Sequence, residues 1–324
     1  MLMGVAFALA AGLMWGLVFV GPLLLPEYPA ALQVVGRYLA FGMVAIPLAW
    51  LDLAELKRLS RADWFEALKL TVVGNFIYYL CLASAIKSAG APLPTMVIGT
   101  LPVVISICAN LTNRQPESQL PWLRLAPCIA IMLLGIVLVN HVELSVVLGE
   151  AHSDLSGYFG GAVLAVCAVA CWTWYPLRNA KWLSEHPERS PRVWATAQGI
   201  ATLPVALLGF AFVWLWSLAI GDQLPMPFGP RPFAFVGLML AIGFFASWMG
   251  TRCWNEASQR LPTALAGQLI VFETLAALAY AYLLRGAWPH GLTIAGIALL
   301  MVGVVAALRI KPRKTVSDIL PTPA

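Results

Sequence analysis

Ten long apolar runs divide this chain, near 2–20, 30–50, 65–87, 93–112, 121–140, 157–180, 193–220, 233–256, 262–284 and 288–309. Each approaches or exceeds the about 20 apolar residues an α-helix needs to cross a bilayer. A water-soluble fold has no place for them. Only 11% of the residues are charged and 60% are hydrophobic, whereas soluble domains carry about 25% charged residues. The strands of an outer-membrane barrel alternate over short segments, and these runs do not. In hydrocarbon every backbone amide must be satisfied within the protein, so the expected fold is an all-α membrane protein with ten transmembrane helices. The first run has no basic stretch ahead of it and no small-x-small cleavage site, and it carries Trp15 and Gly16 in its body. It reads as a retained helix rather than a signal peptide.

The connections between runs sort by charge. Alternate connections on one side hold fifteen Lys and Arg, among them Lys57, Arg58, Arg61, Arg178, Lys181, Arg189, Arg192 and Arg260, against three (Lys87, Arg231, Arg285) on the other. The positive-inside rule then places both termini in the cytoplasm. The net charge of +5 follows from this topology and requires no nucleic-acid partner. The stretch 51–64, with Leu53, Leu56 and Leu59 among its charges, is expected as a short amphipathic helix at the cytoplasmic interface. The tail 311–324 is expected to be disordered. The six cysteines fall inside apolar runs without a CxxC pair, and the four histidines sit in loops or at helix ends, so neither a disulfide framework nor a metal site is expected.

Self-similarity adds a second layer of organisation. Residues 93–101 and 261–269 both read LPTxxxGxL, 168 residues apart. At the same offset Ala130 and Gly135 fall on Ala298 and Gly303, and Phe76 falls on Phe244. In the first two runs of each half the offset is 157, pairing Trp15 with Trp172 and Pro47 with Pro204. The chain therefore divides into a five-helix repeat over 1–145 and a second over 155–310. Five is odd, so the second copy must enter the membrane from the opposite face. Such an inverted repeat has two nearly equivalent states that open a midplane site to alternate sides.

The five-plus-five plan, Trp15-Gly16 in the first run, Arg37 in the second and the LPT-initiated runs with Glu273 resemble the drug/metabolite transporter superfamily, EamA type. Within it, the chain resembles the YddG-type aromatic amino acid exporters. The resemblance spans roughly residues 1–310 and implies a secondary transporter of the bacterial inner membrane, without cofactor, acting as a monomer on a small molecule. One departure is that Thr274 follows Glu273, where proline is common in the family.

The residues at membrane depth that are neither aliphatic nor tiny are few. Asn75, Tyr78, Tyr79 and Leu82 are spaced as one helical face, opposite Gly243, Ala246, Ser247 and Gly250 at the repeat offset. Aromatic walls facing a small-residue face suit a ring-bearing substrate, although small residues also let helices pack closely. Trp15 and Trp172 lie deep, away from the interfaces where Trp is common. Glu273, near the bilayer centre, is costly there: it is a proton carrier, a partner for a substrate ammonium, or the structural mate of Arg37. Gln268 replaces Thr100 of the other half and both donates and accepts. Met96, Gly99 and Gly267 complete the candidate lining, and the two glycines, with Pro94 and Pro262, are candidate hinges.

The function expected is export of aromatic or bulky hydrophobic amino acids by alternating access. The alternatives are another metabolite or a cationic drug and, more remotely, a non-transporting scaffold or receptor. No HExxH, GxSxG or P-loop motif is present, which leaves an intramembrane enzyme without its chemistry.

Overall fold

The computed structural model describes residues 2–89, 92–112, 120–150, 155–221, 224–286 and 288–310, and every regular element among them is helical. Helix α1 (Leu2–Gly16) passes through a tight turn into α2 (Val20–Leu24), followed by α3 (Ala30–Leu51) and the single turn α4 (Leu53–Leu56). Next, α5 (Arg61–Thr71) joins α6 (Tyr78–Ala89) through a π turn, Val72–Ile77. The first LPT segment is two helices, α7 (Pro92–Gly99) and α8 (Leu101–Thr112), broken at Thr100; α9 (Trp122–Glu150) follows. The order then repeats with α10 (Leu155–Glu185), α11 (Pro191–Ala219), and α12 (Pro232–Ile242) joined by a π turn (Gly243–Met249) to α13 (Gly250–Arg260). The second LPT segment is likewise two helices, α14 (Thr263–Leu269) and α15 (Val271–Arg285), broken at Ile270, before α16 (Gly291–Leu308).

Seven helical stretches among the described residues are long and apolar enough to cross a membrane, and three shorter apolar helices (Val97–Thr112, Trp122–Leu138, Gly291–Ala307) fall on the remaining runs. Local chemistry fixes several ends. Ser60 and Asp63 form a reciprocal capping box that starts α5. Proline opens α11 and α12, where its missing N–H would have had no intrahelical partner. Gly286, in the left-handed region at φ +60°, ends α15.

Two expectations are altered. The stretch 51–64 is not one interfacial helix: only Leu53–Leu56 is a turn of helix, and α5 is capped anew at Ser60. Leu56 and Leu59 are buried while Leu53 is exposed, because Asp52 pairs with Arg192 and Arg189 donates to the Arg58 carbonyl at 3.0 Å, docking the segment on the other half. Helix α9 runs on to Glu150, past the boundary expected at 145. The tail 311–324 lies outside the described residues.

Helix α3 packs on α11 and α9 on α16, pairs that stand at the sequence offsets noted above, while α1 packs against α13 and α15 and α10 against α6, α7 and α8. Glycines make the crossings close. A Cβ at Gly42 would sit 2.7 Å from Leu203 Cβ, and one at Gly199 2.6 Å from Ala45 Cβ. At the α9–α16 crossing the corresponding distances are 2.7 Å from Gly135 to the Gly296 carbonyl and 2.6 Å from Gly303 to Met132 Cγ. Without a hydrophobic drive between helices in lipid, such contact is what holds them.

The polar ends differ. At one end Glu66 receives both Arg178 and Lys69, the latter at 2.5 Å, and Trp182 donates to Asp63 at 3.1 Å. Beneath them Asn179 donates to Asn255 at 2.8 Å and accepts from Trp194 at 2.9 Å and Gln198 at 3.1 Å. The opposite end is closed by Arg231 on Glu27 at 2.5 Å and by the Tyr28 hydroxyl, which donates to the Phe228 carbonyl and accepts from the Arg231 amide, both at 2.8 Å. The Arg231 guanidinium holds the Glu27 carboxyl below its ordinary range. Gly229 is required there: its φ is +70° and a Cβ would meet the Tyr28 ring at 2.2 Å.

Candidate functional site

The buried aromatic residues converge where the halves meet. Trp15 of α1 and Trp172 of α10, paired by the repeat offset, touch each other edge to face with centroids 5.4 Å apart. Trp254 packs on Trp15 at 5.3 Å, and both Tyr78, at 4.8 Å, and Tyr175, at 5.2 Å, stack on Trp172. All five side chains are buried. Such pairs contribute about 0.5–1.5 kcal/mol each beyond their buried area, so the cluster ties the two halves together while presenting π faces at one locus.

Two π turns shape this locus. A π turn carries an extra residue and marks functional sites often. In the first, Gly74 lets the Tyr175 ring lie against the helix, since a Cβ would approach its Cδ2 to 2.3 Å. The turn also breaks the simple helical register expected for Asn75, Tyr78 and Tyr79. Tyr78, Tyr79 and Leu82 are buried, but Asn75 is half-exposed within the turn. In the second, the small-residue face is filled: a Cβ added at Gly243 would lie 2.9 Å from Phe41 N on α3, and one added at Gly250 would lie 2.8 Å from Trp15 Nε1. Ser247 accepts from Arg37 Nε at 3.0 Å. Close packing thus accounts for this face, which leaves no room of the kind its small residues suggested.

The polar groups are held in an unusual state. Gln268 is fully buried, yet neither atom of its amide has a partner among the described residues. It lies two residues before the Ile270 break, on a helix pressed against α8 where a Cβ at Gly267 would reach Ile105 Cγ2 at 2.4 Å. Gly267 is therefore a packing residue. Gly99 is buried immediately before the Thr100 break, and the side chain of Met96 lies outside those described. Glu273 is 7% exposed on α15, against Gly12 of α1, and its Oε2 has no partner. The buried Trp172 N–H is likewise without a partner. No ion pair within 4.0 Å joins Glu273 to Arg37, and the structural mating considered for them is not made.

Sequence reasoning did not place the Tyr175 ring or Gln198 in the site. Tyr175 follows Trp172 by one helical turn, a spacing that puts both on one face. Its hydroxyl donates to Gln198 at 2.9 Å, linking the aromatic cluster to the Asn179 network.

Comparison with known proteins agrees with this architecture. Residues 2–141 match the model of the EamA-like transporter family. Inner membrane protein YtfF of Escherichia coli (strain K12) is 52% identical over 318 residues, covering 98% of both chains. A crystal structure of a protein only 17% identical superposes with a TM-score of 0.69 over 94% of this chain and 96% of the other, a likeness of fold alone. With its helices long and apolar enough to cross a bilayer and a near-full-length relative at this identity, the chain belongs to the EamA-like transporter family.

Proposed function

We propose that this protein is a secondary exporter of aromatic or bulky hydrophobic amino acids, working by alternating access in the bacterial inner membrane. Its ten apolar helices cross the bilayer as an inverted five-plus-five repeat, with both termini cytoplasmic, and the monomer is the working unit. The carrying observation is the buried cluster of Trp15, Trp172, Trp254, Tyr78 and Tyr175 at the junction of the halves. Supporting it are π turns and helix breaks at related places in both halves, contacts exchanged between the halves, and the inner-membrane naming of the Escherichia coli relative. Discontinuous helices at repeat-related positions are where transporters of this plan bind substrate.

In this reading the aromatic side chain of the substrate stacks among the rings that now stack on each other. The test is uptake into proteoliposomes of radiolabelled phenylalanine and tryptophan, beside leucine and lysine, with and without a proton gradient. Tyr78→Ala or Trp172→Ala is expected to slow uptake of the aromatic pair roughly 2–10-fold, the equivalent of one lost stack. Equal uptake of all four amino acids, or unimpaired transport in both variants, contradicts it. A second reading is favoured by one observation, a carboxylate set among rings: a cationic drug held by cation–π contacts.

A further inference from the structure

We propose that Arg37 and Glu273 are the two poles of a clamp for an α-amino acid zwitterion, Arg37 meeting the carboxylate and Glu273 the ammonium. This rests on the amino acid reading above and narrows it, because a clamp of this kind discriminates against both amines and acids that lack the second charge.

The two residues come from different halves, Arg37 on α3 and Glu273 on α15. They are 9% and 7% exposed, at membrane depth, where an ionisable group without a partner is expensive. A structural pair would close to relieve that cost. These do not: no ion pair within 4.0 Å joins them, although both border α1, where a Cβ at Gly12 would lie 3.0 Å from Glu273 N and one at Gly250, a turn beyond the Ser247 that holds Arg37, would lie 2.8 Å from Trp15 Nε1. Ser247 holds the guanidinium by its Nε at 3.0 Å, and no other hydrogen bond from that guanidinium is present among the described residues. The four N–H groups on its terminal nitrogens, in a fork that matches a carboxylate, are left for a ligand. Glu273 in turn keeps Oε2 unpartnered.

Two opposite charges on elements that both pack on α1, with no bond between them, fit a ligand that carries both. An α-amino acid bears its ammonium and carboxylate on one carbon, so both poles are met within a short span. The rings complete the match. Glu273 lies against Gly12, one helical turn from Trp15 on α1, and Trp15 touches Trp172, on which Tyr78 stacks, so a side chain leaving the same carbon enters the aromatic cluster. A simple organic cation would satisfy Glu273 and leave Arg37 unanswered.

The experiment is competition for labelled phenylalanine uptake in proteoliposomes by phenylalanine, phenethylamine (no carboxylate) and 3-phenylpropionate (no ammonium). The parent protein is expected to prefer phenylalanine over each by tenfold or more. Glu273→Gln should weaken phenylalanine and phenethylamine roughly 30-fold or more, the usual effect of removing one partner of a buried charge contact, and leave 3-phenylpropionate unchanged or improved. Arg37→Met should show the converse. Should Arg37→Met fail to fold, Arg37→Lys keeps the charge, loses the fork, and should weaken only the carboxylate-bearing ligands. Equal loss of all three ligands in either variant makes the residue structural and overturns the clamp, as does unchanged discrimination in both. Parent protein that takes phenethylamine as well as phenylalanine also overturns the clamp while leaving aromatic transport intact. Parent protein that moves no phenylalanine at all removes the amino acid reading itself, a result distinguishable because no variant is involved.

Discussion

Gly135→Ala tests the packing of the two halves on each other. The added Cβ would sit 2.7 Å from the Gly296 carbonyl oxygen and 2.9 Å from Leu300 N, both backbone atoms, where ordinary contact begins at 3.4 Å. No rotamer change relieves that, so α9 and α16 must move apart by several tenths of an ångström along their crossing. Dispersion contacts fall off steeply over such a gap, and overpacking of this kind costs about 1–3 kcal/mol. For a chain of this size that lowers the apparent melting temperature by roughly 2–4 °C. The assay is thermal unfolding of detergent-purified protein, with Gly160→Ala and Gly237→Ala as controls, since a Cβ at either position meets nothing within 4 Å. The controls should be neutral or slightly stabilising, because alanine is the better helix former. Gly303→Ala should cost less than Gly135→Ala, as its nearest neighbour is the flexible Met132 side chain at 2.6 Å. If Gly135→Ala melts with the controls, the close crossing does not exist and the mutual packing of the repeats is misread.

Asn179→Leu should destabilise more strongly. It strips partners from Asn255, Trp194 and Gln198 at once, and each orphaned buried group costs about 1–3 kcal/mol; parent-like melting refutes the network. The Glu27–Arg231 clasp should respond to acid. Glu27 titrates below its ordinary 4.5 when folded because Arg231 favours its charged form, so its contribution is whole above pH 4.5 and is lost as pH falls through the depressed value. Protection of the 224–235 amides, taken against their intrinsic exchange rate at each pH, is expected to fall below pH 4.5, and Glu27→Gln should lower it already at pH 7. Protection that is flat with pH and unaltered by the substitution contradicts the clasp.

The order of helices was legible because the bilayer sets their length, and LPTxxxGxL made the halves comparable. The breaks at Thr100 and Ile270 and the two π turns were not. Nothing in local propensity separates VVGNFI from ordinary helix; Gly74 meeting the Tyr175 ring, a contact between halves, accompanies the wider turn. For the same reason the face of Asn75, Tyr78 and Tyr79 was drawn on a register the protein does not keep. The pairing of Trp15 with Trp172 was readable as a repeat offset, while their physical contact depends on how α1 and α10 meet. The small face of Gly243, Ser247 and Gly250 was ambiguous in sequence because small residues serve cavities and close packing alike. Arg37, Trp15 and α3 decide it.

Alternating access is the central claim, and the two polar ends give it a direct test. Spin labels at Lys57 and Glu188 report the end closed by Asp52–Arg192 and Glu66–Arg178, and labels at Ala30 and Phe233 report the end closed by Glu27–Arg231. All four positions are exposed, and the free native cysteines would be replaced first. Pulsed dipolar distances would be measured in proteoliposomes with and without phenylalanine. Alternating access requires reciprocal change, one distance distribution lengthening as the other shortens, with phenylalanine shifting the populations. Two distributions that stay fixed, or that widen together, contradict it.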